Sequence, residues 1–292
     1  MTNLKNMIEI EDIGGADALT DPLMLAAFEG WNDCGAAATG VIDHLIDVWD
    51  ARLIGAMDPE DFYDFQVNRP NISTDDSGMR RITWPSTQVY LARSAANGRD
   101  VLLVRGIEPN MRWRQFCAEL LAASSDLGVS LVCTLGAVMA EVPHTRPIQV
   151  SGTATELDLH DRLQVEAPRY EGPTGIVGVL EDACGRLDIA AVSFWAAIPH
   201  YVSAPPCPKG TLALLAQVED LIGATVPLED LAEDSRAWER GADEYLKEDE
   251  DLAEYVQQLE ESADAAALPQ ASGEAIAREF ERYLKRRGDR ED

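Results

Sequence analysis

The sequence predicts an α/β fold with a mainly parallel sheet flanked by helices. Two observations carry that expectation. Val101-Leu-Leu-Val and Leu131-Val-Cys-Thr-Leu are apolar throughout rather than alternating, as expected of interior strands buried on both faces. Stretches with helical spacing separate several such runs, which is the pattern of strands joined by crossover helices.

The elements follow in chain order. Leu23-Met-Leu-Ala-Ala-Phe-Glu is a short apolar run ended by Gly30, and it predicts the first buried strand. Between Gly35 and Asp50, Ala37, Val41, Leu45, Val48 and Trp49 fall on one helical face. Further strands are expected at Arg52–Met57, Gln88–Arg93, Val101–Ile107, Ser130–Leu135 and Ile189–Ala197. Helices are expected over Arg112–Leu127, Thr174–Leu187 and Gly210–Leu221. Beyond residue 225 the composition changes. From Glu229 to Asp292 there are 21 Asp or Glu against 9 Lys or Arg, and the β-branched runs stop. We therefore divide the chain into an α/β domain, 1–225, and an acidic helical extension, 226–292, joined through Ile222-Gly-Ala-Thr-Val-Pro-Leu.

The extension reads as two helices. Leu252, Tyr255, Val256 and Leu259 lie at i, i+3, i+4 and i+7, and Ile276, Phe280, Tyr283 and Leu284 nearly so after Ser272. Each stripe is narrow and flanked by charge, so each helix needs a surface to lie on. That surface is either the chain's own domain, a neighbouring subunit, or another protein held through Ile276, Phe280, Tyr283 and Leu284.

Composition excludes several classes of function. The chain has 292 residues with 24 Lys or Arg and 52 Asp or Glu, a formal charge of −28. Nucleic-acid binding and polybasic membrane association both need clustered cations, so neither is expected. No apolar run approaches the roughly 18 residues of a membrane-spanning helix. The first residues lack the layout of a secretion signal, and five scattered cysteines form no CxxC pair, so a cytoplasmic protein is expected.

In parallel sheets, ligands sit beyond the carboxyl ends of the strands. The segments expected there gather Glu29, Asn32, Asp33, Arg105, Glu108, His144, Arg146, Thr174, His200 and Tyr201 as candidate pocket residues. Each also has a plainer role. Asn32 or Asp33 is placed to cap the first helix, and Thr174 to cap the helix after it. Arg105 either pairs with Glu108 or binds an anion. His144 and His200 adjoin prolines and suit hydrogen-bond posts. The turn after the first strand is not GxGxxG, and its acidic pair repels phosphate. Neither HExxH nor GxSxG occurs, so no metal site, cofactor or catalytic set is expected. Cys117, Cys133 and Cys184 read as core, while Cys34 and Cys207 fall in loops.

Taken in order, Ala27-Phe-Glu-Gly-Trp-Asn-Asp, Arg105-Gly-Ile-Glu-Pro, Leu135-Gly-Ala, Pro143-His-Thr-Arg-Pro, Tyr170-Glu-Gly-Pro-Thr-Gly-Ile and Trp195-Ala-Ala-Ile-Pro-His-Tyr-Val resemble the PAC-type proteasome assembly chaperone family. The resemblance spans residues 20–225, and the acidic extension is similar to the actinobacterial branch. It implies a fold like that of purine nucleoside phosphorylases, a homotrimer, and a chaperone-like or scaffolding role without catalysis. The competing expectation is an enzyme or sensor that binds a nucleoside or small anion. Members that act on proteasomes often end in a hydrophobic-Tyr-any tripeptide. Here Arg290-Glu-Asp stands in its place, so proteasome docking by that route is not expected.

Overall fold

A computed structural model describes residues 19–267 apart from 76, 166 and 168. Ser272 and the stripe Ile276, Phe280, Tyr283 and Leu284 lie outside the described residues.

The strands are β1 (Leu23–Glu29), β2 (Arg52–Ala56), β3 (Asn71–Thr74), β4 (Arg80–Thr83), β5 (Gln88–Ala96), β6 (Arg99–Ile107), β7 (Leu131–Ala140), β8 (Val150–Ala154) and β9 (Ala190–Pro199). The helices are α1 (Ala37–Val48), α2 (Trp113–Asp126), α3 (Leu157–Leu163), α4 (Ile176–Arg186), α5 (Pro208–Ile222), α6 (Leu231–Leu246) and α7 (Glu250–Ala267). Seven strands form one sheet in the order β2-β5-β6-β1-β7-β9-β8. The central four, β6, β1, β7 and β9, are parallel. Antiparallel pairing is confined to the flanks, β2 with β5, β5 with β6, and β8 with β9. The expectation of a mostly parallel sheet between helices is met.

β1 shows why its sequence is continuously apolar. Successive side chains of a strand point to opposite faces. Leu23, Leu25 and Ala27 enter the core built with Val41 and Leu45 of α1 and Leu214, Leu215 and Val218 of α5. Met24, Ala26 and Phe28 enter the opposite core with Phe116 and Leu120 of α2 and Ile176 and Leu180 of α4. Phe28 and Phe62 both meet Phe116 edge-on, at centroid distances of 5.7 and 5.3 Å. Burying each such ring or branched side chain stabilises the fold by about 1.5–3 kcal/mol.

Sequence reasoning passed over five elements, β3, β4, β8, α3 and α6. β8 is a polar, glycine-containing edge strand, and α3 has seven largely polar residues. Every strand residue of the β3–β4 hairpin is exposed, so no buried face imprints an alternating pattern on it. α6 buries only Ser235 and Ala242 fully, which leaves a weak stripe.

α6 returns along α5, and its Trp238 packs against the core on the α1–α5 side. α7 bears the expected stripe. Within it Val256 is buried, and Tyr255 meets the His200 ring at 5.6 Å.

Gly136 of β7 lies opposite Trp195 of β9, whose indole covers it. A Cβ at Gly136 would fall 2.5 Å from the indole Cε3. Gly136→Ala is therefore expected to cost about 1–3 kcal/mol by overpacking. Urea unfolding followed by tryptophan emission measures it, and an unchanged midpoint would contradict this packing.

Candidate functional site

Because the four central strands run in one direction, the segments after β1, β6, β7 and β9 share one edge of the sheet. The expected residues collect there in two groups.

The first group surrounds the end of β1. Asp33 is buried, and its carboxylate accepts the backbone N–H groups of Ala38 (2.7 Å) and Thr39 (3.3 Å) as well as the Thr39 hydroxyl. It is Asp33, not Asn32, that satisfies the free N–H groups of α1. Burial pushes the Asp33 carboxyl above the usual range, against the lowering effect of these three hydrogen bonds, and the Glu29 charge raises it further. Because the folded value exceeds the unfolded one, Asp33 by itself makes stability fall as pH rises through the window above 3.8.

Asn32 is wholly buried. Its amide nitrogen donates to Glu108 Oε1 at 2.7 Å, and its backbone carbonyl accepts from Ala137 of β7 at 2.8 Å. The same Glu108 oxygen accepts the N–H of Ile176, the first residue of α4, at 2.9 Å. This corrects the expectation for Thr174, whose side chain does not cap α4. Glu108 does so from another loop. Gly175 supplies the necessary closeness, since a Cβ there would lie 2.1 Å from Asn32 Oδ1. Asn32 Oδ1 has no hydrogen-bond partner among the described residues and faces that glycine.

Arg105 does not pair with Glu108. Its guanidinium forks onto Asp43 of α1, at 2.9 and 3.3 Å, and also binds Glu29. Burial alone would lower its pKa, but the Asp43 hydrogen bonds and charge, then Glu29, outweigh that and raise it. Both planar edges of the cation thus face carboxylates.

The second group lies after β7 and β9, beneath the acidic helices. His144 is 0% exposed. Its Nδ1 and its backbone N–H both meet the Tyr201 hydroxyl, at 2.9 and 2.8 Å, and its Nε2 lies 3.2 Å from Asp243 of α6. These partners are all satisfied when Nε2–H donates to Asp243 and Tyr201 O–H donates to Nδ1. Burial pushes the Tyr201 phenol up to about 12, so it stays protonated at neutral pH. Lys209 of α5 donates to the His144 carbonyl at 2.5 Å and also to Glu239 of α6. Next along the chain, Thr145 binds Glu260 of α7, and Arg146 forks onto Asp264 at 2.7 and 2.8 Å. His200 stands against Tyr255 of α7. Four of the ten expected pocket residues, His144, Arg146, His200 and Tyr201, therefore belong to the floor on which α6 and α7 rest.

Asp43, Lys209, Asp243 and Asp264 were missed by sequence reasoning. Asp43 lies inside α1 and the others well away from the strand ends, and only the folded chain juxtaposes them with Arg105, His144 and Arg146. Thr174 reaches only the Gly175 carbonyl, at 3.5 Å. Among the described residues no cluster of three or more His, Cys, Asp or Glu side chains is arranged to hold a metal ion. Burial pushes the thiols of Cys117 and Cys184 up to about 12 and that of Cys207 up to about 11, which removes thiolate character at neutral pH. No described helix is long and apolar enough to cross a membrane.

The PAC2 family profile matches residues 27–246, from the end of β1 through α6. The chain belongs to the PAC2 family. A PAC2 family protein from Streptomyces avermitilis is 54% identical, with 81% of this chain and 100% of that one aligned at a TM-score of 0.76. A proteasome-assembly chaperone homologue from Mycobacterium tuberculosis is 50% identical over 80% of this chain and 99% of its own, at a TM-score of 0.74. The Pyrococcus furiosus protein PbaB, an archaeal proteasome activator, shares the fold at 16% identity and a TM-score of 0.62, over 80% of this chain and 94% of its own. A comparison with curated proteins finds no match. The PAC2 match thus includes both groups of edge residues and α6, one of the two helices that cover the second, while α7 lies beyond it.

Two outcomes test this geometry. Glu108→Ala removes the acceptor of a buried amide and of a helix N-terminus, and is expected to cost about 1–3 kcal/mol. Adding Asn32→Ala should then cost less than the single variants imply, because the two share one bond. Denaturation of the four proteins measures this, and strictly additive costs would refute the pairing. His144→Ala should loosen α6, so that limited trypsin digestion cuts faster after Arg236, Arg240 or Lys247. An unchanged digestion rate would show that α6 is held elsewhere.

Proposed function

We propose that this PAC2 protein is a non-enzymatic, chaperone-like or scaffolding protein that works as a homotrimer in the cytoplasm. One observation carries the reading. The side chains that a ligand pocket would need are engaged within the chain. Arg105 is held by Asp43 and Glu29, Asn32 by Glu108, and His144, Arg146 and His200 by α6 and α7. An incoming anion would have to displace carboxylates from Arg105 in a chain of net charge −28, which repels it at long range.

The similarity to a proteasome-assembly chaperone homologue supports a protein partner rather than a metabolite. The purine nucleoside phosphorylase-like character of the fold is what the family resemblance implies, and the parallel centre of the sheet is compatible with it. The competing reading, an enzyme or sensor for a nucleoside or small anion, needs Arg105 or His144 to change partners. The division near residue 225 is kept as a functional one, with the acidic helices serving as a cover that a partner meets first.

Light scattering coupled to size exclusion should give near three times 31.9 kDa. Purified protein should not cleave inosine, guanosine or adenosine in the presence of phosphate. Phosphorolysis that disappears in Arg105→Ala or His144→Ala would overturn the non-enzymatic reading, and a monomer at micromolar concentration would overturn the trimer.

A further inference from the structure

The connection from β2 to β5 carries a projecting arm, the β3–β4 hairpin. Asn71 pairs with Thr83, Ile72 with Ile82, Ser73 with Arg81 and Thr74 with Arg80. Directly opposed residues share a face. Ile72, Ile82, Thr74 and Arg80 therefore form one side of a ribbon whose every strand residue is exposed. Ile72 and Ile82 are 54% and 55% exposed, and Met79 at the tip is 62% exposed. The tip is ordered by its own chemistry. Asp75 accepts from the N–H groups of Ser77 and Met79, at 3.0 and 3.1 Å, and pairs with Arg81 at 3.1 Å. A lone two-stranded ribbon is marginal in water and gains stability from a layer packed on it. Neither hydrophobic core includes any residue of this one.

Its charge says what that layer is. Between residues 65 and 85 there are three cations, Arg69, Arg80 and Arg81, against Asp75 and Asp76, in a chain of net −28. Across 229–267 there are 15 acidic side chains against three basic ones. Two copies of so acidic a chain repel unless the contact brings their least acidic surface against an acidic one. The arm leaves the sheet at its β2–β5 end. α6 and α7 are anchored on the loops after β7 and β9, towards the other end of the strand order.

From this juxtaposition we propose that the β3–β4 arm is a docking element that seats on the acidic α6–α7 helices of a second copy of this chain. Ile72 and Ile82 supply the apolar contact, and Arg69 and Arg80 the charge. Different patches meet across such a contact, so it repeats head to tail, and it forms a ring of the proposed trimer where the rotation between copies closes. The inference rests on the self-association proposed above and adds the surface that makes it.

The test compares the full chain with Ile72→Asp/Ile82→Asp and with Arg69→Glu/Arg80→Glu, by light scattering and by hydrogen exchange. Both variants should fall from the oligomer to 31.9 kDa with unchanged helical circular dichroism. In the unaltered protein, amides of both the arm and α6–α7 should exchange more slowly than in the variants. The arginine pair lies on exposed side chains, so it decides the matter if the isoleucine variant misfolds. An oligomer that survives the arginine substitutions overturns the arm proposal and leaves self-association standing. Slower exchange at the arm without any change in α6–α7 overturns the choice of partner surface. A monomeric unaltered chain overturns both readings.

Discussion

β1 is buried on both faces between β6 and β7, and that constraint orders the rest of the molecule. A strand with no exposed side requires helices on each face, hence α1 and α5 against one and α2 and α4 against the other. It also forces polar residues to the strand ends, where the chain first leaves the core. These residues emerge into a crowded edge rather than into open water. Buried polar groups need partners there, and the nearest partners are one another. Glu108 shows the result, because one carboxylate oxygen serves both the Asn32 amide and the first N–H of α4. That single atom joins three segments drawn from opposite faces of the sheet.

Charge acts on the same edge in a second way. With 52 acidic residues and 24 basic ones, cations are the scarce partner. Arg105, Arg146 and Lys209 each bridge two chemically separate groups, so each ties loops or helices together instead of facing solvent. Asymmetry of composition thus becomes specificity of structure. Apart from Arg236 and Arg240, which pair with Glu233 within α6, the cations that meet the acidic helices among the described residues come from the α/β body, on the loop after β7 and at the start of α5.

Much of this was legible beforehand, for physical reasons that also mark the limit. β1, β6, β7 and β9 announce themselves because burial on two faces forbids polar residues over several positions. α7 announces itself because one buried stripe repeats at helical spacing. β3, β4 and β8 do not, since an exposed ribbon or a polar edge strand leaves composition almost free. At the edge, the loops were legible but the pairings were not. Arg105 and Asp43 are 62 positions apart, His144 and Asp243 are 99 apart, and no local pattern links either pair. Thr174 is the instructive miss. A threonine just before a helix is a sound capping signal, yet a carboxylate 68 residues away does the work. Local rules name a residue able to cap, and tertiary structure decides which one reaches.

The helices beyond α5 bring these constraints together. α6 buries little apolar surface, so packing alone holds it weakly. Its polar hold comes from a buried imidazole with a different partner on each ring nitrogen, Tyr201 of the body and Asp243 of the helix, and from Lys209, which bonds to both the His144 carbonyl and Glu239. Ionic contacts of this kind depend on salt far more than a hydrophobic stripe does. Apolar contact from Trp238 and Val256 fixes where the helices return, while charge sets how firmly they stay. The order of dependence runs from the buried strand to the polar edge, and from that edge to the cover that closes it.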